Sequence, residues 1–551
     1  MPTLASAAEA PPSWVFFADR GRDHGALSVA IDDRATELSP RALARRKRVR
    51  GDRGVDARDL APASAYVAAV LGTGARLRSS SRWLNAISVD ADTTQLAAIA
   101  ALPAVVHLQP VARRRNVAPL APLRSHDSPD LAAAPHWSAD AEDYGVAFDQ
   151  LDLLQIPFLH NCGLTGAGVV VGVQDSGFSL QHAALMGVDV IAAHDFINDD
   201  DIVANEPGDP KGQHNHGTMV LSLLAGNDPG NYMGAAPGIS VILSKTEDSS
   251  VEEPFEEDRF VEGLEWTESM GADLFTTSLG YADWYAPQDL DGKTAVTTKA
   301  AAVAVAQGLI IFSAVGNVGP EPMTLMAPSD ADGLIAVGAV DFDGVVAEFS
   351  SRGPSADGRI KPDIAAPGQD VWVASPNSQV AYGQGDGTSL ATPLAAGAAA
   401  LLMEAFPDLD PMSMRAMLQQ SSSLAAMPNN DLGWGVLDAR LPVATFCACA
   451  GDDVASACAD DGDSDSDSDS DGDASTGGGT SGDSSTDDIP TSSGPDASDA
   501  GGSASSDGAT ADLTRGAADE GEGCTCSSAR ETWSPALLLP WLLLGMRRRR
   551  A

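Results

Sequence analysis

Residues 169–177 run Val169-Val170-Val171-Gly172-Val173-Gln174-Asp175-Ser176-Gly177. A β-branched stretch ends in an acid and a glycine turn. Apolar runs of this kind, without polar alternation, suit strands buried on both faces. Similar short runs recur at 241–243, 274–276, 309–313 and 334–340, separated by Ala-rich helical segments. Strands alternating with helices predict an α/β domain over 143–444, with a mainly parallel central sheet between two helical layers. In such sheets, catalytic and ligand groups gather at the carboxyl ends of strands, where Asp175 stands.

The chain has 551 residues, long enough for two to four domains. With 44% hydrophobic and 20% charged residues it has ample material for a core, which excludes wholesale disorder. It holds no apolar run of the length a polytopic membrane protein needs. A net charge of −43 argues against a nucleic-acid partner.

That charge is uneven. Residues 1–115 carry 17 Lys+Arg against 11 Asp+Glu, whereas residues 116–450 carry 11 against 45. The two stretches either attract each other, within the reach that salt allows, or are separate solvated surfaces. The acidic run Glu252–Glu268 is expected to be a solvated face rather than a specificity loop.

Upstream, residues 1–115 form a small domain of α+β, ferredoxin-like type. Strands are expected at 14–17, 83–89 and 105–108, and helices at 40–50, 66–71 and 93–101. Ser39 before Pro40 is the cap-then-proline order of a helix start. The opening MPTLASAAEAPP has neither the basic nor the apolar part of a secretory signal. Its Ala-Ser-Ala resembles the trailing end of one, which predicts a start lying further upstream.

Residues 116–142 lack periodicity and predict a linker with the processing site. Residues 445–523 are Asp, Ser, Gly and Thr with almost no apolar content, which predicts a disordered spacer. Asp467, Asp469, Asp471 and Gly472 copy half of a calcium loop, but its twelfth position is Gly478, without a chelating carboxylate. Residues 524–551 hold Cys524 and Cys526, a short apolar stretch and the cluster Arg547–Arg550. The apolar part is too short to span a bilayer. The C-x-C spacing is not that of zinc or redox sites, and Cys162 is expected to be a packing residue.

Two further segments carry chemistry. His214-Asn215-His216-Gly217-Thr218-Met219-Val220 opens an apolar helix, which lets the His216 imidazole face a cleft. His214 and His182 are expected to be incidental. Gly387-Thr388-Ser389-Leu390-Ala391-Thr392-Pro393 opens another, placing the Ser389 hydroxyl at a helix start whose dipole favours an anion. The order is acid, imidazole, alcohol.

D-S-G-F, H-G-T-M-V and G-T-S-L-A-T-P together resemble the subtilisin-like serine peptidases, over about residues 143–444. Gly234–Pro237, Phe349–Pro354, Ala366–Gly368 and Gly433–Gly435 agree with that resemblance. It implies a subtilisin-like fold and serine endopeptidase activity on polypeptides. Asp175, His216 and Ser389 would be the triad and Asn317 the oxyanion-hole residue. Ser278, Leu279 and Gly280 would pair with the substrate backbone, while Ala314, Val315 and Gly316 would line the pocket before the scissile bond. Plain strand-to-loop packing is the alternative for both segments. No cofactor is required and no metal ligand is assigned; the family often binds structural calcium, but no diagnostic ligand cluster is legible.

The basic segment resembles the inhibitory propeptides of such enzymes, which implies a zymogen inhibited by its own propeptide. The tail resembles the carboxyl-terminal sorting tags of myxobacteria. That implies export to the surface of a Gram-negative bacterium and contact with a sorting machinery. Three rivals remain: a non-catalytic binding protein on the same fold, a surface protein whose function lies in its tail, and an aspartic protease. The last needs a second D-[ST]-G, which the chain lacks.

Overall fold

The computed structural model describes residues 11–111, 143–249, 256–282 and 285–444. The expectations for the signal-like start, the linker, the Asp/Ser/Gly spacer, the calcium-like loop and the Arg-tipped terminus lie outside these residues.

The amino-terminal unit runs β1 (Ser13–Phe17), α1 (His24–Glu37), α2 (Pro40–Arg50), α3 (Ser64–Leu71), β2 (Arg76–Ser81), β3 (Ala86–Asp90), α4 (Thr93–Ala100) and β4 (Val105–Pro110). Its strands pair antiparallel in the order β2-β3-β1-β4, the ferredoxin-like arrangement. The Ser39 hydroxyl caps α2 by accepting from Ala42 N–H at 3.1 Å, with Pro40 in the first turn.

Three details differ from expectation. The helix α1 was not legible, because Ile31 is its one buried residue and no apolar stripe marks it. Trp83 sits in the turn before β3 rather than inside the strand. The strand β2, Arg-Leu-Arg-Ser-Ser-Ser, carries no apolar alternation. Its inward residues Ser79 and Ser81 are buried all the same, against carboxylates of the next domain.

That domain runs α5 (Phe148–Asp152), α6 (Ile156–Asn161), β5 (Val170–Asp175), β6 (Asp189–Asp195), α7 (Asn215–Ala225), β7 (Asn227–Asp228), β8 (Tyr232–Met233), β9 (Ser240–Lys245), α8 (Glu256–Met270) and β10 (Leu274–Thr277). It continues α9 (Val296–Ala306), β11 (Ile310–Ala314), β12 (Ile335–Val340), β13 (Ile364–Pro367), β14 (Val371–Ala374), β15 (Tyr382–Gly385), α10 (Thr388–Ala405) and α11 (Pro411–Gln420). Seven strands pair parallel in the order β13-β12-β11-β10-β5-β9-β6.

Alternate strand residues enter two cores. Val171, Val173, Leu274, Ile310 and Phe312 join α7 and α10 on one face. Val170, Phe275, Ile311 and Ala336 join α8 and α9 on the other. This is the expected three-layer subtilisin-like fold, and burial on both faces explains the continuous apolar runs. The helix α10 is apolar and long enough to cross a membrane, but it is a core helix, buried almost throughout. Cys162 is partly buried against the main core, as a packing residue would be.

The chain leaves β5 toward β9 and β6, then returns to its other side for β10 to β13. Strand order therefore reverses at β5, which puts the crevice of the sheet at that strand's carboxyl end.

The solvated-face expectation for 252–268 fails over its described part, 256–268. Glu257, Asp258, Glu265 and Glu268 are buried, because α8 is the helix on which the amino-terminal unit docks. Trp14, Trp83, Ala86 and Val111 share one core with Phe260, Val261 and Leu264. Arg78 Nε donates to Asp258 at 2.9 Å, Arg46 Nε to Glu268 at 2.8 Å and Arg41 Nε to Asp273 at 2.9 Å. The charge contrast is thus an attraction made as ion pairs within one folded unit, and the separate-surfaces alternative fails for these residues.

Candidate active site

β5 delivers Asp175 to the carboxyl edge of the sheet, fully buried. Its Oδ1 accepts from Ser176 N–H at 2.7 Å and from the Ser176 hydroxyl at 3.1 Å. His216 lies in the first turn of α7, with Nδ1 at 2.8 and 2.9 Å from the two carboxylate oxygens of Asp175. A carboxylate at that nitrogen holds the proton on Nδ1 and leaves the Nε2 lone pair available. The approach needs two glycines. A Cβ on Gly217 would lie 2.2 Å from the Gly177 carbonyl oxygen and 3.0 Å from the Asp175 Cβ, and Gly177 has φ +133°. Helix and strand end could not otherwise come this close.

α10 begins at Thr388, and Ser389 is its second residue, nearly buried. The dipole of the helix concentrates positive potential at this turn. Thr388 N–H and Oγ1 both donate to Asn317 Oδ1 at 2.8 Å. With its oxygen committed to Thr388, the Asn317 amide presents its Nδ2 donors elsewhere. The Ser278 hydroxyl donates to the Ser389 main-chain oxygen at 2.7 Å, and Gly316 N–H to Thr388 Oγ1 at 3.3 Å. The loops after β10 and β11 are thereby tied to the head of α10.

Ser278, Leu279 and Gly280 follow β10; Ala314 closes β11, and Val315 and Gly316 follow it. Leu279 and Val315 turn into the core. Val315 N–H donates to Val337 O at 3.2 Å, and its carbonyl accepts from Met326 N–H at 3.1 Å. The bulk of Leu279 and Val315 therefore faces the core and is not offered to a ligand.

The two histidines expected to be incidental hold backbone. His182 is buried, with Nε2 at 2.9 Å from Ala381 O and Nδ1 accepting from Ala184 N–H, and burial lowers its pKa. His214 Nδ1 accepts from Asn205 N–H at 3.1 Å. Two residues escaped sequence reasoning. Thr388 orients Asn317. Gln213 is buried, and its amide donates to Ser176 O at 2.7 Å and to Glu247 O while its Oε1 accepts from Ser249 N–H at 2.8 Å. Thr388 lay visible inside its motif, but nothing in the sequence marks Gln213.

Among the described residues, Asp195, Asp200 and Glu206 bring carboxylate oxygens within 4.8 Å of one another. They do not fit a calcium ion. The fully buried ammonium of Lys245 is 2.7 Å from Asp195 and 2.8 Å from Asp209, and Ile197 N–H takes the other Asp195 oxygen. Burial pushes the lysine's pKa down, but the bonds to Asp195 and Asp209 outweigh it and leave it raised. An internal ammonium already occupies the Asp195 side of this cluster.

Residues 166–435 match the model of the subtilase family, and residues 12–126 match a model of the peptidase S8 propeptide domain of Bacteroidota. The serine protease AprX of Bacillus subtilis is 32% identical over 290 residues, covering 47% of this chain and 62% of that protein. Subtilisin DY of Bacillus licheniformis is 31% identical over 288 residues, covering 52% of this chain and 93% of that protein. Fervidolysin from Fervidobacterium pennivorans shares the fold, with a TM-score of 0.56 at 20% identity over 79% of this chain and 61% of that one. With a propeptide domain ahead of a peptidase domain that spans nearly all of a subtilisin at 31% identity, the chain belongs to the subtilase family.

Proposed function

We propose that this chain is a serine endopeptidase made as a zymogen, in which Ser389 is the nucleophile, His216 the general base and Asp175 the residue that orients it. The observation that carries this reading is the pair of short contacts from His216 Nδ1 to the buried Asp175 carboxylate, beside the crevice of a subtilase sheet. A serine hydroxyl is a weak nucleophile until a base takes its proton. His216 Nε2 accepts that proton as Ser389 Oγ attacks the peptide carbonyl, then delivers it to the leaving amine. Asp175 fixes the tautomer and stabilises the imidazolium. The Asn317 Nδ2 and the Ser389 N–H receive the oxyanion. Substrate lies extended along Ser278–Gly280 as an added strand, with the side chain before the scissile bond toward Ala314–Gly316. The steps use side chains and main-chain groups of this chain and require no cofactor.

The propeptide domain blocks the enzyme until the chain is cut within the linker 116–142. The subtilisin relatives support export, and the layout of residues 524–551 supports surface sorting. The test combines labelling and processing. A fluorophosphonate should modify Ser389 in the matured protein, and Ser389→Ala should accumulate full-length precursor. Normal removal of the amino-terminal domain by the purified Ser389→Ala protein alone would contradict the proposal.

A further inference from the structure

The two segments that would take a substrate run on either side of one methionine. Met326 lies between β11 and β12. Its main chain is fixed from both directions. Its N–H donates to Val315 O at 3.1 Å, and the next residue, Ala327, exchanges main-chain hydrogen bonds with Tyr281 at 2.9 and 3.1 Å. The Met326 carbonyl accepts from Ser329 N–H at 2.9 Å and from the Ser329 hydroxyl at 2.6 Å. Residues 326 and 327 are thus stitched to positions 315 and 281, each the neighbour of a glycine, Gly316 and Gly280.

The Met326 side chain fills the space between those glycines. A Cβ on Gly280 would stand 3.0 Å from both Cβ and Cε of Met326, and one on Gly316 would stand 2.8 Å from its Cγ and Sδ. The thioether therefore runs along both segments, and it is buried. The missing side chains of Gly280 and Gly316 do not leave open room, because the methionine takes their place. Ser351 closes in on Gly316 as well. Its hydroxyl oxygen would lie 2.8 Å from a Cβ there and accepts from Val318 N–H at 3.2 Å. The groups that meet here are a thioether, two glycines and a hydroxyl, none of them charged.

We propose that Met326 determines the specificity of the peptidase. It shortens the pocket for the side chain before the scissile bond, so the enzyme cuts after small residues such as alanine, glycine and serine and disfavours aromatic and long ones. This rests on the serine endopeptidase reading above, with Ser278–Gly280 and Ala314–Gly316 flanking the bound chain. A large side chain has to displace a buried thioether whose main chain is held on both sides. Packed sites resist added bulk, and apolar pockets discriminate on a scale of roughly ten- to a hundredfold in kcat/KM.

The test uses the full chain after maturation and two chromogenic peptides that differ only in the residue before the scissile bond, alanine in one and phenylalanine in the other. Active sites are counted by fluorophosphonate titration. The wild type should prefer the alanine peptide by at least about tenfold in kcat/KM. Met326→Gly should raise kcat/KM for the phenylalanine peptide at least about tenfold and leave the alanine peptide little changed. Met326→Leu, of similar volume, should keep the wild-type preference. Met326→Ala serves in place of Met326→Gly should that variant not fold. A purely structural role for Met326 would lower both activities together, and that unchanged ratio would overturn the proposal. So would a wild type that cuts after phenylalanine as readily as after alanine, a result that needs no variant. A wild type that neither takes the label nor hydrolyses either peptide would overturn the endopeptidase reading instead.

Discussion

The side-chain oxygen of Asn317 accepts two hydrogen bonds from Thr388, each at 2.8 Å, one from its main chain and one from its hydroxyl. The asparagine is thus aimed by the residue preceding Ser389, so the proposed oxyanion donor and the proposed nucleophile share one turn of helix.

Thr388→Val keeps the shape and the main-chain bond but removes the hydroxyl. Under the proposed mechanism kcat should fall about five- to tenfold, the worth of one neutral hydrogen bond at ~1 kcal/mol, with KM little changed. Asn317→Leu should lower kcat by ~10²–10³, a magnitude that itself derives from a subtilisin. Steady-state kinetics on a chromogenic peptide decide it. Equal, small effects from both variants would remove Asn317 from the oxyanion site.

Propeptide docking should depend on pH through Glu265. Burial pushes this carboxyl up to about 7, against the opposing bonds from the Ser81 hydroxyl and the Trp83 and Arg82 N–H groups. Arg82 and Arg20 are the charges facing it. Once the propeptide leaves, Glu265 meets water and titrates near 4.3. Between those values the docked form binds the extra proton, so docking strengthens as pH falls from 7 and loses that gain as pH rises through 7. Glu268 has the opposite sign. Burial raises its pKa, but Arg45 and Arg46 outweigh this and hold it below its usual range, so its contribution fades in acid. Docking should therefore tighten as pH falls from 7 to about 4.5 and weaken again in stronger acid. Propeptide dissociation should be slower at pH 5.5 than at pH 8.5, on the order of tenfold, and Glu265→Gln should flatten the difference. An unaltered profile in that variant would rule Glu265 out.

Lys245→Met should destabilise the peptidase domain. It strands the buried Asp195 without its ammonium, while Asp209, nearer the surface, is partly rescued by water. The loss should be about 2–3 kcal/mol, lowering Tm by about 5–10 °C. Thermal unfolding in a Ser389→Ala background, which avoids self-digestion, measures it. A Tm within a degree of the parent would show that the ammonium does not hold this loop.

The strands of the peptidase domain were legible because a sheet covered on both faces writes itself as uninterrupted apolar runs such as Val169–Val173. The cap of α2 was legible because Ser39 and Pro40 act within one turn. The candidate site was legible as residue types in short motifs, since each of D-S-G, H-G-T and G-T-S shapes its own strand end or helix start. The strand β2 and the run around Glu268 were not. Their polar residues are buried against one another across a domain boundary, and no local pattern distinguishes a serine facing water from one facing a carboxylate.

By itself the sequence determined the α/β layering, the strand-end position of Asp175 and the helix-start positions of His216 and Ser389, all consequences of neighbours within a few residues. Tertiary structure alone decided which oxygen Asn317 commits to Thr388, that Lys245 balances Asp195, and that Arg45 and Arg46 close on Glu268. Those pairings join positions tens to hundreds of residues apart, and burial and charge act through space rather than along the chain.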